Sequence, residues 1–182
     1  SRDHCADVCR GKVDTDGCYY ANHVYNPYFY EGTKTYIYEV FEQLKRMPKH
    51  IIIPVGNGTL FLGAIYALEH LLASGVIEEM PKIIALQSQN CDPLLQATER
   101  GEDKPAKVTP TPTIAEGIAI GLPMRGEEIL RLTYKYNIKY VHAPEDKIME
   151  ARADLAKKGI YCEHTTAANY AAYLHYCELY GS

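Results

Sequence analysis

The sequence lacks tryptophan, long apolar runs and an excess of basic residues. None of its 182 residues is Trp, whereas 16 are Tyr, and we have no functional account of that balance. No apolar run approaches the roughly 18 residues that span a bilayer, so we expect no membrane partner. The formal net charge is -4 and the Lys and Arg residues are scattered, so we also expect no nucleic-acid partner. An apolar content of 47% is typical of a folded, soluble protein.

The first residues contain neither an initiator Met nor an apolar leader. The chain starts Ser1, Arg2, Asp3, His4. A secretory signal would need an apolar stretch here, so we expect a cytoplasmic protein. We also expect that the start was processed or that the sequence begins inside a longer protein.

Six cysteines are present, but the chain does not have the length of a small disulfide-rich scaffold. Cys162 and Cys177 lie in apolar surroundings, which predicts buried free thiols. Four residues near the start raise the alternative of a zinc site: His4, Cys5, Cys9 and Cys18. The spacing Cys-x3-Cys-x8-Cys contains no second close pair, so we predict no metal site.

A strand, a glycine loop and a helix follow one another between residues 50 and 72. The β-branched run Ile51, Ile52, Ile53 and Val55 predicts a strand buried on both faces. Gly56 and Gly58 allow positive φ and close approach of a ligand, and Thr59 is expected to cap the helix that follows. Free N–H groups at a helix start, with the positive end of the helix dipole, favour an anion such as phosphate. The alternative is a strand-to-helix turn that binds nothing.

Strands and helices alternate along most of the remaining chain. A helix is predicted from residue 33 to Pro48, and another from Thr165 or Thr166 to residue 179. Three further helices are predicted at 92–100, 126–136 and 145–158. Residues 101–112 form a polar, proline-marked loop. Further strands are predicted at 18–21, 82–87, 138–141 and 160–162. This order predicts a single α/β domain over residues 1–182. It has an open, mainly parallel sheet of four or five strands with helices on both faces, a Rossmann-like three-layer arrangement.

Three polar or glycine-rich segments follow predicted strands, at residues 56–59, 88–90 and 163–166. Ligands of parallel sheets bind at the carboxyl ends of the strands, so we expect these segments to converge on a ligand. The aromatic loop at residues 22–30 has two interpretations. It packs over the core, which is the more frequent case, or it forms part of a pocket wall.

Three motifs together resemble the fold-type II pyridoxal-phosphate (PLP) enzymes of the tryptophan synthase beta-like superfamily. They are Asn-Pro-Tyr-Phe-Tyr-Glu-Gly-Thr-Lys-Thr at 26–35, Pro-Val-Gly-Asn-Gly-Thr at 54–59 and Thr-Ile-Ala-Glu-Gly-Ile at 113–118. The resemblance is greatest to threonine synthase and its serine and threonine dehydratase relatives. It extends from about Cys18 to Tyr180. Residues 1–17 are then a lead-in from a preceding domain, and 18–182 form the phosphate-loop domain.

The resemblance implies PLP as the cofactor and assigns residues to it. The loop that holds the cofactor phosphate would be Gly56, Asn57, Gly58 and Thr59. The pyridine ring would be bordered by Ala115, Glu116 and Gly117. Glu163 would belong to a turn beneath the cofactor, although the family usually has proline where His164 stands here.

The chain departs from the family at the reactive lysine. The family's Schiff-base lysine precedes the phosphate loop in a Ser-x-Lys-like context. None of the four lysines before Gly56 has those surroundings: Lys12, Lys34, Lys45 and Lys49. The glycine-rich segment that supplies a Ser or Thr to the pyridine nitrogen is also not found before Ser182. We therefore expect a C-terminal-half fragment without a catalytic residue of its own.

For the parent protein the resemblance implies a PLP-dependent lyase. It would eliminate or replace a group at the β or γ carbon of an amino acid, and it would be a homodimer. The isolated chain would be inactive, and whether it retains PLP stays open. Two alternatives remain: a non-catalytic Rossmann-like module that binds a phosphate or nucleotide, and a structural half that pairs with a second chain.

Overall fold

A computed structural model describes residues 2–181, so Ser1 and Ser182, the ends of the predicted domain, lie outside the described residues. The described elements, in chain order, are α1 (Arg2–Asp16), α2 (Pro27–Leu44), β1 (His50–Pro54), α3 (Thr59–Ala73), β2 (Lys82–Ser88), α4 (Pro93–Arg100), α5 (Gly126–Lys135), β3 (Lys139–Ala143), α6 (Ile148–Lys157) and α7 (His164–Tyr180). Short 3₁₀ turns occur at Glu116–Ile118 and Glu145–Lys147. That residues 1–17 lead in from a preceding domain stays a prediction.

The three strands form one parallel sheet in the order β1-β2-β3. Ile52 of β1 pairs with Ile84 of β2, and Leu86 of β2 pairs with Val141 of β3. The predicted parallel α/β architecture is confirmed. The predictions of strands at 18–21 and 160–162 were wrong, because both segments are irregular and no described strand lies beside them.

Side chains of β2 alternate between two separate cores. Ile83 and Ala85 pack with the apolar face of α3, including Phe61, in one core. Ile84 and Leu86 pack on the other face, against the alanines of α7. This alternation follows from the two-residue period of a strand and confirms the predicted helices on both faces of the sheet.

Helix α2 begins six residues earlier than predicted. The Asn26 side chain accepts a hydrogen bond from the Tyr28 N–H at 3.0 Å, and Pro27 occupies the first helical turn. Asn as N-cap and proline at the first position are both favourable at a helix start. The helix therefore includes most of the motif at residues 26–35.

The described cysteines are free of disulfides, and three of them, Cys5, Cys9 and Cys18, are exposed. The prediction that Cys162 and Cys177 are buried was wrong, because both are half-buried. Among the side chains that the structure describes, those of residues 4–181, no group of three or more His, Cys, Asp or Glu could hold a metal ion. No helix of the described chain is long and apolar enough to cross a bilayer.

Candidate functional site

The glycine loop, residues 56–59, connects the carboxyl end of β1 to the start of α3. Gly58 is the N-cap of α3 with φ +84°, and its carbonyl accepts the Leu62 N–H at 2.8 Å. The prediction that Thr59 caps the helix was wrong, because Thr59 is already helical. A glycine N-cap has no side chain, so the N–H groups of the first turn have no side-chain acceptor from it. Donors left without a side-chain acceptor at a helix start are a feature that favours anion binding.

A second segment, residues 113–118, lies against the glycine loop, and we call it the wall segment. A Cβ atom added to Gly56 would lie 3.1 Å from the Gly117 carbonyl oxygen and 3.3 Å from the Ile118 Cα. A Cβ atom added to Gly58 would overlap Ile129 Cδ1 and lie 3.0 Å from its Cγ1. A side chain at Gly56 would therefore need its neighbours to shift by a few tenths of an ångström, and one at Gly58 is disfavoured by contact with Ile129 and by the positive φ.

Between these segments lies a cavity of about 300 Å³. Its lining residues are His23, Pro54, Gly56, Asn57, Gly58, Thr59, Leu60, Gly117, Ile118 and Ile120. Five of the residues predicted to contact the cofactor are thus brought together: Gly56, Asn57, Gly58, Thr59 and Gly117. The Asn57 side chain is oriented by the Met124 N–H, which donates to its Oδ1 at 3.4 Å.

Three other predicted site residues lie away from the lining. Ala115 is fully buried in the core beneath α7, and Glu116 is exposed. Glu163 is the N-cap of α7, where its Oε1 accepts the Thr166 N–H at 3.2 Å. The predicted capping of α7 by Thr165 or Thr166 was therefore wrong.

The segments expected to converge on a ligand contribute differently. Thr165 lies behind the wall segment, since a Cβ on Gly117 would be 2.7 Å from Thr165 Oγ1. Ser88 and Asn90 do not line the cavity. The Ser88 Oγ donates to Thr113 Oγ1 at 3.0 Å, and Asn90 Nδ2 donates to the Pro112 carbonyl at 2.6 Å. Both therefore hold the wall segment and its preceding loop.

Sequence reasoning did not single out His23 and Leu60, which also line the cavity. Both interpretations of the loop at 22–30 apply. Val24 and Tyr30 are buried in packing, whereas His23 faces the cavity, with its ring centroid 4.9 Å from that of Phe29. The sequence showed a histidine within an aromatic loop, but this pattern did not indicate which residue of the loop would face the cavity.

A polar cluster fastens this aromatic loop to the helices. Tyr30 donates its hydroxyl to the Val24 carbonyl at 2.7 Å, and Arg125 donates to the same carbonyl at 3.3 Å. Glu128 pairs with Arg125 and accepts the Tyr66 hydroxyl at 2.5 Å. Burial raises the pKa of both tyrosine hydroxyls, and the Glu128 carboxylate raises the pKa of Tyr66 further. The phenols therefore remain protonated donors, and the cluster fixes the loop that carries His23.

The chain is similar in sequence to known proteins. The family described as "Pyridoxal-phosphate dependent enzyme" matches residues 1–182. Threonine synthase from Methanocaldococcus jannaschii is 31% identical over 149 residues, which is 80% of this chain and 36% of that protein. Threonine synthase from Methanosarcina acetivorans is 28% identical over 148 residues, again covering 80% and 36%. The chain thus spans little more than a third of the length of these curated relatives.

Solved structures share the fold. Maize serine racemase aligns with a TM-score of 0.74 and 22% identity, covering 96% of this chain and 49% of that chain. The processed form of threonine deaminase isoform 2 from Solanum lycopersicum aligns with a TM-score of 0.73 and 24% identity, covering 93% and 44%.

Proposed function

This chain belongs to the family of pyridoxal-phosphate dependent enzymes, and from that membership we propose that it forms the phosphate-binding part of the active site of a threonine synthase-like enzyme. The family's cofactor is PLP. The observation that carries the proposal is the glycine loop, whose uncapped helix start opens onto a cavity of about 300 Å³. A cavity of that size lies at the lower end of the range for small-molecule sites.

The residues of the cavity fit a phosphate ester. Three of its lining residues are glycines, Gly56, Gly58 and Gly117, so an anion can approach the backbone closely at these positions. Thr59 adds a hydroxyl, and the start of α3 adds the positive end of a helix dipole. The phosphate would be held by residues 56–59, with Gly117 and the neighbouring wall at its side.

When bound, PLP supplies an electron sink for carbanion chemistry at an amino acid. The residues of this chain would bind and orient it. The N–H groups at the start of α3 fix the phosphate end. Ile118 and Ile120 contribute apolar surface to the cavity, and His23 is the ionisable side chain among its described lining residues.

We propose that the reactive lysine comes from residues other than these 182. None of the described lining residues is lysine. Lys34 is 5% exposed, and its Nζ donates to Glu31 Oε1 at 2.6 Å, so it is engaged in a structural ion pair on α2. The isolated chain would then bind the cofactor phosphate without turnover. The threonine synthase relatives favour elimination or replacement at the β or γ carbon of an amino acid in the parent enzyme.

A PLP titration of the 182-residue chain tests this proposal. Saturable binding should be competed by inorganic phosphate and should be weakened by Gly56→Val, because the Gly56 Cβ position already lies 3.1–3.3 Å from the wall. Gly32→Val is a matched control away from the cavity, since nothing lies within 4 Å of its Cβ position and its φ is not positive. Tighter binding of a nucleotide than of PLP would instead favour a nucleotide-binding module.

Borohydride reduction in the presence of PLP, followed by mass spectrometry, tests the origin of the lysine. We expect no stoichiometric, site-specific lysine adduct. A single modified lysine together with turnover of an amino acid would contradict the proposal.

We also propose that the parent enzyme is a homodimer and that the isolated chain self-associates. Large apolar side chains are exposed beside α6, including Met149 at 50%, Ile160 at 50% and Tyr161 at 88%. Exposed apolar surface of this kind is typical of an interface. Light scattering across a concentration series would detect the association, and a monomer at all concentrations would contradict it.

A further inference from the structure

Both oxygens of the Glu145 carboxylate hold the start of the wall segment. Thr113 donates its hydroxyl to Glu145 Oε2 at 2.6 Å, and the Ile114 N–H donates to Oε1 at 2.7 Å. Glu145 lies in the 3₁₀ turn between β3 and α6, and its own N–H donates to Gln89 Oε1 at 3.4 Å. Glu145 therefore joins the wall segment through its carboxylate and the loop after β2 through its backbone N–H, from its own position in the loop after β3.

The Thr113 hydroxyl uses its full hydrogen-bonding capacity in this arrangement. It donates to Glu145 and accepts from Ser88 Oγ at 3.0 Å and from the Ala115 N–H at 3.1 Å. A hydroxyl has one donor and two acceptor positions, and all three are occupied. Valine, which has the same shape, could make none of these bonds.

The far end of the wall segment reaches the cavity. Ala115 and Ile118 are 0% and 3% exposed and pack in the core beneath α7. Between them Gly117 lines the cavity, and its carbonyl oxygen packs against Gly56. The wall segment is thus held by Glu145 at its start and by apolar packing along its length, and its position sets the width of the cavity.

We propose that Glu145 is a positioning residue for the phosphate site. It does not line the cavity. It acts through Thr113 and Ile114, whose hydrogen bonds hold Gly117 at its distance from the glycine loop. This inference rests on the proposed function for its ligand, but the hydrogen bonds can be tested without one.

The test compares Glu145→Gln and Thr113→Val with Thr113→Ser in the 182-residue chain. An amide in place of the carboxylate retains only one acceptor oxygen, and valine removes the hydroxyl, whereas serine keeps it. Glu150→Gln is the control, because that exposed carboxylate on α6 pairs with Lys147 and lies outside this network. Amide hydrogen exchange of residues 113–118, PLP affinity and thermal stability are measured for each variant.

We expect faster exchange confined to the wall segment in Glu145→Gln and Thr113→Val. Their affinity for PLP should fall, by up to about tenfold in Glu145→Gln, the equivalent of one hydrogen bond to a charged group, and by at least as much in Thr113→Val, which loses three hydrogen bonds. Thr113→Ser and Glu150→Gln should behave as the unmodified chain. Unchanged exchange and affinity in Glu145→Gln would overturn the inference, as would faster exchange spread evenly over the sheet, which indicates general destabilisation. Absence of PLP binding by the unmodified chain would count against the proposed function alone, since the exchange comparison still tests Glu145.

Discussion

Replacing Gly58 by alanine should destabilise the chain through two separable effects. The first is conformational, because φ is +84° at this position and a residue with a Cβ atom loses about 1–2 kcal/mol there. The second is steric, because the added atom would overlap Cδ1 of Ile129, which is fully buried. Overpacking of this kind costs about 1–3 kcal/mol. Together they predict a loss of about 2–5 kcal/mol in the free energy of unfolding.

Two further variants separate the effects. Gly75 has φ +72° and nothing within 4 Å of its Cβ position, so Gly75→Ala measures the conformational effect alone, about 1–2 kcal/mol. Ile129→Val removes the overlapped Cδ1 atom and by itself costs about 0.5–1.5 kcal/mol. In the double variant Gly58→Ala/Ile129→Val the steric loss should be largely recovered, so the two changes should not add.

Urea unfolding followed by circular dichroism gives each free energy of unfolding, and equal m-values show that the variants unfold from comparable states. PLP affinity measured on the same samples reports the geometry of the loop. A loss of stability in Gly58→Ala no larger than that in Gly75→Ala would contradict the steric effect. Losses of Gly58→Ala and Ile129→Val that simply add would contradict it as well.

Two further predictions concern buried hydroxyl groups. Burial raises the pKa of Tyr36 to about 12, so the contribution of this hydroxyl to the free energy of unfolding is complete below pH 10 and is lost as the pH rises toward 12. In urea unfolding from pH 9 to 12, Tyr36→Phe should therefore lose about 2–3 kcal/mol less stability than the unmodified chain. An identical pH dependence in both proteins would contradict this prediction. The Thr165 Oγ1 atom is buried without a hydrogen-bond partner among the described residues. Thr165→Val should therefore leave the free energy of unfolding unchanged or raise it by about 1 kcal/mol, with Thr165→Ser as the control. A clear loss of stability in the valine variant would show that the hydroxyl has a partner.

The parts of the fold that could be predicted are those set by local pattern. The β-branched run before Gly56 and the apolar helix after it fixed the position of β1 and α3, because a buried strand and a buried helix have distinct lengths and boundaries. The short apolar runs at 18–21 and 160–162 resembled strands equally well. Whether such a run joins a sheet depends on a neighbouring strand, which local pattern does not contain.

The candidate site could likewise be predicted only where local sequence pattern determines it. The glycine loop was identified because its residue types, glycine above all, indicate the backbone conformation of the loop. The involvement of His23 was left open, and the role of Glu145 was not found, because both depend on contacts between segments distant in sequence. Ser88 was expected near the ligand because it ends a strand. It does not line the cavity, and instead it donates a hydrogen bond to Thr113 of the wall segment.

Glycine occupies three of the lining positions of the cavity, Gly56, Gly58 and Gly117. Glycine has no side-chain rotamers, so a ligand that binds against these positions loses no side-chain entropy there. Affinity there should depend mainly on how rigidly the backbone is held before the ligand arrives. Substitutions that alter cofactor binding are therefore expected among the residues that fasten these loops, at some distance from the ligand, as often as among those that touch it.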